Sequence, residues 1–409
     1  MSEVRERKLA HLELCIERDV ESQRSTLFSE VQLLHEALPE LAWHEVDASV
    51  ELLGRRLQAP IVITGMTGGA PEARAVNLAL ATAAQKVGLA IGVGSQRAML
   101  QDPSLADSYR MRDAAPDVLL FANLGAVQAR EAGPERVAAL ARAIGADALC
   151  IHLNTAQELV QDEGDRDFRG LLATIATLVE ELPVPLIVKE TGCGFGPATL
   201  TRLRAIGVAL VDVAGAGGTT WTGVEALRGS ARQRALGETL REWGIPTAAS
   251  LLFAERAGVA AIASGGIRSA LDVVRALALG ARAAGLALPF LRAYASGGAP
   301  AVLESAERLA ESVRAVMALT GTRRVEDLRR VPRVLGPELA RWAALEEVPS
   351  LSCRRFQPRL PRSRVRRDRA ARRPTRIARS SAFSMPQRGS SPRAVTTAPA
   401  SPRSQRAPA

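Results

Sequence analysis

At 409 residues the chain can hold one large domain or two ordinary ones, and its 47% hydrophobic, 3% aromatic composition suits an α/β protein. Cys15, Cys150, Cys193 and Cys353 show neither Cys-x-x-Cys pairing nor metal-ligand spacing, no apolar run reaches ~20 residues, and the first residues are charged; no disulfide framework, membrane span or signal peptide is expected, which points to a soluble cytoplasmic protein. The net charge of +10 is lopsided, because sixteen arginines face one acid, Asp368, from Leu351 to Ala409, so this segment carries +15 and residues 1–350 carry −5.

Residues 1–59 read as an N-terminal extension with helical segments, placed to cap a following domain or reach over its mouth. Among the 53 basic residues only Lys8, Lys86 and Lys189 are lysine. A chain that writes nearly every cation as arginine keeps lysine where a compact point charge serves better than a planar fork. Lys8 lies in Arg7-Lys8-Leu9-Ala10-His11, and Lys189 ends a buried strand.

From about residue 60 to residue 320, short apolar runs alternate with amphipathic helical stretches. The runs are Pro60–Gly65, Leu89–Gly94, Val118–Leu124, Ala146–Leu153, Val184–Lys189, Val208–Val213, Val259–Ala263 and Ala283–Leu288. Their number and spacing predict a (β/α)8 TIM barrel over residues 60–349, closed by a helix ending near Trp342. A doubly wound open sheet predicts fewer strands and one Gly-rich loop after the first.

In such a barrel chemistry sits at the C-terminal ends of the strands. Those ends carry, in order, Thr64-Gly65-Met66-Thr67-Gly68-Gly69; Gly94-Ser95-Gln96-Arg97; Asn123-Leu124-Gly125; His152-Leu153-Asn154 with Gln157-Glu158; Lys189-Glu190; Asp212 to Trp221, including Thr219; Ser264-Gly265-Gly266-Ile267-Arg268; and Gly285-Leu286-Ala287-Leu288. Loops after the seventh and eighth strands commonly bind phosphate, and Ser-Gly-Gly-Ile-Arg before a helix fits that use. With a lysine after the fifth strand and a Gly-rich turn after the first, the set points to flavin mononucleotide, whose electron-rich ring edge Lys189 would face. His152 stands at a strand end among polar neighbours, and Glu158 could ligate Mg²⁺ beside phosphate oxygens. Cys193 has no evident base and reads as a bystander.

After Pro349 the composition turns to Arg, Ser, Pro and Ala. Residues 350–409 are therefore expected to form a disordered basic tail, since so few large apolar residues cannot offset the entropy of ordering.

Arg7-Lys8 with His11, Met66–Gly69, Gly94–Arg97, His152–Asn154 with Gln157-Glu158, Gly164–Phe168, Val188–Glu190, the Asp212–Trp221 stretch and Ser264–Arg268 together resemble type 2 isopentenyl-diphosphate isomerase, over about residues 5–345. The resemblance implies a homo-oligomeric flavoenzyme (tetramer or octamer) that interconverts isopentenyl and dimethylallyl diphosphate with reduced FMN as acid/base, Mg²⁺, and NADPH as reductant. It implies that Met66, Thr67, Gly68, Ser95, Asn123, Lys189 and Thr219 contact the flavin ring and ribityl chain, and that Gly265, Gly266, Arg268, Ala287 and Leu288 take its phosphate. Substrate would meet Arg7, Lys8, Ser95, Gln96, Arg97 and Gln157. Glu158 would hold the metal, and Gln157, His152 and Asn154 would form the catalytic side. Two departures stand out: Ala10 replaces an expected acid, and Ser269-Ala270 replaces the more usual Thr-Gly, which is expected to loosen a helix start.

Two rival readings remain open on the sequence. An FMN-dependent 2-hydroxy-acid oxidase or dehydrogenase explains Lys189 and Ser264–Arg268, but not Gln157-Glu158 or Arg7-Lys8. A nucleic-acid-binding protein would act through the Arg-rich tail.

Overall fold

The structure, a computed structural model, describes residues 3–345, with side chains from Lys8 onward. The expected tail over 350–409, Cys353 and the Arg7 side chain lie outside the described residues. Eight parallel strands close into a barrel: β1 Ile61–Ile63, β2 Ala90–Gly92, β3 Leu119–Gly125, β4 Ala148–Leu153, β5 Leu186–Glu190, β6 Leu210–Asp212, β7 Ala260–Ala263 and β8 Ala283–Leu286. Closure runs through β8 against β1, with Gly285 opposite Val62. Every strand falls within one of the apolar runs except at two ends, where β3 and β5 each extend one residue further, to Gly125 and Glu190. The eighth run is shorter than expected because a helix takes over at Leu288.

The side-chain period of two along a strand explains where the site lies. Ile61, Ile63, Ile91, Leu120, Leu149, Ile151, Val188 and Val211 pack outward into the large core shared with the helices. Val62, Ala90, Phe121, Cys150, Ile187, Leu210, Ile262 and Ala283 form a separate inner cluster. One step further toward the C-terminal end, the same inward parity delivers Thr64, Gly92, Asn123, His152, Lys189, Asp212, Ser264 and Gly285. The apolar interior of the barrel therefore changes to a polar floor within one layer.

The N-terminal extension covers both ends of the barrel. A hairpin pairing Val50–Leu52 with Arg55–Leu57 sends Leu52 and Leu57 into the inner cluster and seals the bottom. Helix α1, Glu3–Glu17, lies at the mouth, where Lys8, His11, Leu12 and Cys15 line the cavity. Val31–Leu33 pairs antiparallel with Arg333–Leu335, tying the extension to the C-terminal end of the domain. The other helices that matter below are α2, Ala126–Ala143, broken at Gly133; α3, Thr155–Val160; α4, Trp221–Arg228; α5, Ala270–Ala278; and α6, Leu288–Leu319, broken at Gly297 and Gly298. The described residues form a single compact unit, and no helix among them is long and apolar enough to cross a membrane.

Candidate active site

The barrel mouth holds a cavity of about 240 Å³. On its floor Lys189 and Asp212 are register partners on adjacent strands. Lys189 Nζ donates to Asp212 Oδ2 at 2.7 Å and to Ser264 Oγ at 3.1 Å, while Ser264 Oγ donates to Asp212 Oδ1 at 2.5 Å. An ammonium carries three protons, so the buried lysine keeps one donor for a ligand above it.

Beside it, His152 Nδ1 meets Asn123 Oδ1 at 2.8 Å, and Asn123 Nδ2 donates to the Val93 carbonyl at 3.1 Å. Because the amide nitrogen is committed, its oxygen must accept, and the imidazole carries its proton on Nδ1. Burial, then the positive charges of Lys189, Arg97 and Lys8, pull the imidazole down to about 4. His152 is therefore neutral near pH 7, with an unprotonated Nε2.

One wall comes from the loop after β4. Glu158 is buried; its Oε1 accepts from Asn154 Nδ2 and its Oε2 from the Asp165 backbone N–H, both at 2.8 Å. Among the described residues no three His, Cys, Asp or Glu side chains gather as a metal site. A single carboxylate with open space beside it suits a hard cation whose remaining ligands come from phosphate and water, which is how Mg²⁺ is usually held.

Behind Gln157 lies a residue the sequence reading missed. Glu225, on α4 one turn beyond Trp221, is 3% exposed. Its Oε1 accepts from Gln157 Nε2 at 2.9 Å and Gln161 Nε2 at 2.6 Å and pairs with His11 Nε2 at 2.9 Å; its Oε2 pairs with Arg228 at 2.7 Å. Burial pushes its carboxyl up, but the bonds from His11 and Gln157 and the Arg228 charge outweigh it and hold it at about 2. The local signals were the i, i+4 spacing from Trp221 and the i, i+3 spacing to Arg228; the other partners come from α1, α3 and the segment after it.

The opposite wall is backbone. Gly265 and Gly266 have φ of 95° and 74°, and a Cβ on Gly218 would lie 2.3 Å from the Gly266 nitrogen, so the loops after β6 and β7 meet with no room for side chains. Thr67 Oγ1 is the one buried side-chain polar atom without a partner among the described residues, and Thr67 lines the cavity. An orphaned hydroxyl, a lysine with a spare proton and a bare backbone cradle fit a flavin whose ring, ribityl chain and phosphate need those three things.

Of the predicted residues, Met66, Thr67, Ser95, Arg97, Asn123, His152, Asn154, Gln157, Glu158, Lys189, Thr219, Gly265, Gly266, Arg268, Ala287, Leu288 and Lys8 all line this one cavity. Gln96 does not. It is fully buried, its Nε2 donating to the Leu140 carbonyl at 3.1 Å and its Oε1 accepting from the Asn123 N–H, because the helix that starts at Arg97 turns it inward. The Gly68 side faces Tyr109, and its carbonyl takes the Lys8 ammonium at 2.5 Å. The expected loosening at Ser269 is also corrected. Ser269 and Asp272 cap each other at the start of α5, with Asp272 Oδ2 accepting from Ser269 N at 3.0 Å and Arg268 N at 3.1 Å. Arg268 itself bonds Glu21 through Nε at 2.7 Å.

A family model described as FMN-dependent dehydrogenase matches residues 154–333. The solved structures of a Pediococcus acidilactici lactate oxidase (19% identity, TM-score 0.60, 80% of this chain and 91% of that one) and of a mandelate oxidase with (S)-mandelic acid (19%, TM-score 0.56, 80% and 98%) share the fold. Isopentenyl-diphosphate delta-isomerase of Halobacterium salinarum is 48% identical over 341 residues, 82% of this chain and 94% of that protein. The proteins of the same name from Methanothrix thermoacetophila (80% of this chain, 92% of that protein) and Aeropyrum pernix (82% and 92%) are 45% and 46% identical. Identity at this level over four-fifths of the chain and more than nine-tenths of each relative shows the family: the chain belongs to the flavin-dependent, type 2 isopentenyl-diphosphate delta-isomerases.

Proposed function

We propose that the protein interconverts isopentenyl and dimethylallyl diphosphate by a 1,3-allylic proton shift, with FMN at the barrel mouth, Mg²⁺ at Glu158 and NADPH as the source of reducing equivalents. The observation that carries this reading is the joining, in one cavity, of a flavin-type cradle (Lys189, Thr67, Gly265–Gly266) to the polar wall of His152, Asn154, Gln157 and Glu158. Reduced FMN supplies a positioned proton donor and acceptor when bound.

The chain's own groups supply binding, charge and orientation. An unactivated alkene is a poor base and needs a strong acid shielded from water. His152 has no proton on Nε2 to give near pH 7, and Glu225 is ionised and engaged by four side chains. Lys189 stabilises negative charge on the ring. Arg7 and Arg97 would match the charge of the diphosphate by charge-assisted bonds, Lys8 would add its positive charge while bonded to Gly68, Ser95 and Tyr109, and Glu158 would hold a divalent cation that helps neutralise the diphosphate. Gln157, tethered between Glu225 at 2.9 Å and Asn154 at 3.3 Å, orients the allylic carbons. The reading extends to a cytoplasmic homo-oligomer, a tetramer or octamer. The hydroxy-acid oxidase alternative shares the fold, the flavin-dependent family model and the Lys189 and Ser264–Arg268 features, but leaves Gln157-Glu158 and Arg7-Lys8 without a use.

The test is an anaerobic isomerase assay with Mg²⁺. Turnover is expected only with reduced flavin, in catalytic amounts, and 5-deaza-FMN is expected to be inactive. Flavin reduction by lactate without isomerisation of either diphosphate would overturn the proposal.

A further inference from the structure

Gln128, a polar side chain of the cavity, has no part in that reading. It stands in the first turn of α2, directly after β3, and is nearly buried. Its Nε2 donates to Asp165 Oδ2 at 2.8 Å, and the Asp165 backbone N–H donates in turn to Glu158 Oε2 at 2.8 Å. An ionised carboxylate only accepts, so the amide nitrogen of Gln128 must face Asp165 and its oxygen the other way. That oxygen accepts no hydrogen bond from any described residue.

A Cβ placed on Gly125 would lie 2.1 Å from Gln128 Oε1 and 3.1 Å from His152 Nε2. The two atoms thus converge over the bare Gly125 Cα. His152 Nε2 is the unprotonated nitrogen and likewise has no partner among the described residues. The result is a pair of adjacent acceptors without a donor, beside the buried Glu158 carboxylate. A diphosphate oxygen is itself an acceptor and gains nothing there. A group with two polarised O–H bonds does, and a water coordinated to a divalent cation is such a group. Mg²⁺ bound through a carboxylate and phosphates keeps several of its waters.

We propose that Gln128 is a positioning residue of the metal end of the site: through Asp165 it fixes the Glu158 carboxylate, and together with His152 it accepts hydrogen bonds from a water on the cation that Glu158 and the diphosphate hold. This rests on the Mg²⁺ reading above and assigns it a further residue. Gly125 is required by the same geometry, because any side chain there would displace the Gln128 oxygen.

The experiment uses the FMN-loaded full chain, with Mn²⁺ as the probe and saturating inorganic pyrophosphate, and follows Mn²⁺ binding by electron paramagnetic resonance. Gln128→Leu keeps the volume and removes both polar atoms; Gln128→Ala is the second variant. Mn²⁺ affinity is expected to fall by about 10-fold or more, the usual effect of removing a group that orients a metal ligand. FMN affinity is expected to stay within about twofold of wild type, and the Mg²⁺ concentration for half-maximal isomerase activity to rise in parallel. Unchanged Mn²⁺ affinity in either variant overturns the role of Gln128, as does loss of FMN and Mn²⁺ binding together in both. Absence of Mn²⁺ binding by the wild-type complex overturns the Mg²⁺ reading itself, and this proposal with it.

Discussion

Lys189 shows how a single residue serves fold and ligand together. It neutralises Asp212 at 2.7 Å in a nearly dry layer, so Lys189→Met leaves a buried carboxylate without its cation, a cost of about 3–5 kcal/mol. Adding Asp212→Asn is expected to restore most of the thermal stability while FMN affinity stays at least about tenfold weaker, as measured by flavin fluorescence; recovery of both would make Lys189 purely structural. His152 provides a pH test. Its folded-state value of about 4 lies below the ordinary 6.5, so between those values the unfolded chain binds a proton that the folded protein does not. Stability is therefore full above pH 6.5 and falls as pH drops toward 4, by on the order of 3 kcal/mol from this group. His152→Gln should flatten the melting-temperature profile across that window. Glu158→Gln, in contrast, should raise the Mg²⁺ requirement of the isomerase reaction far more than it disturbs FMN binding; equal loss of both would make Glu158 structural.

Among the elements, α1 has the least ordinary attachment. Its Lys8 ammonium reaches the Gly68 carbonyl at 2.5 Å, the Ser95 carbonyl at 2.7 Å and the Tyr109 hydroxyl at 2.7 Å. These carbonyls belong to the loops after β1 and β2, beside the flavin-facing Thr67 and Ser95. One lysine thus latches the helix over the cavity, joined by the Tyr109 hydroxyl, which donates to the same Ser95 carbonyl at 2.8 Å. Lys8→Met should speed proteolysis within residues 1–20 and hasten FMN release by about tenfold, the scale of losing charge-assisted hydrogen bonds at a partly buried site. Unchanged proteolysis would show that the remaining contacts hold α1 unaided. The Glu225 cluster fastens the same helix from the other side, where His11 stacks edge-on at 5.3 Å from Trp221.

At the scale of the whole molecule, the described residues account for both ends of the barrel. The Leu52–Leu57 hairpin closes the bottom and α1 covers the mouth, so the domain needs nothing beyond residue 345 to bury its core. Removal of residues 346–409 should leave FMN affinity, melting temperature and isomerase activity unchanged. A loss of isomerase activity on that deletion would assign the arginine-rich segment a part in the enzyme.

The sequence by itself determined the eight-stranded barrel and most of the site. Eight apolar runs alternating with amphipathic helices over about 260 residues fit a closed barrel rather than an open doubly wound sheet, which predicts fewer strands, and inward parity at each strand end names the residues of the floor. That logic is local, so it carried Asn123, His152, Lys189 and Ser264 to the mouth. It failed where position depends on direction or on distant partners. Gln96 stands between two cavity residues in sequence, yet the start of a helix turns it into the core. Glu225 acquires its setting only when α1, α3 and α4 converge, and Gln128 only when the loop after β4 folds back to bring Asp165 against it. Those meetings join segments tens to hundreds of residues apart, and only tertiary packing decides which polar groups then share a buried proton.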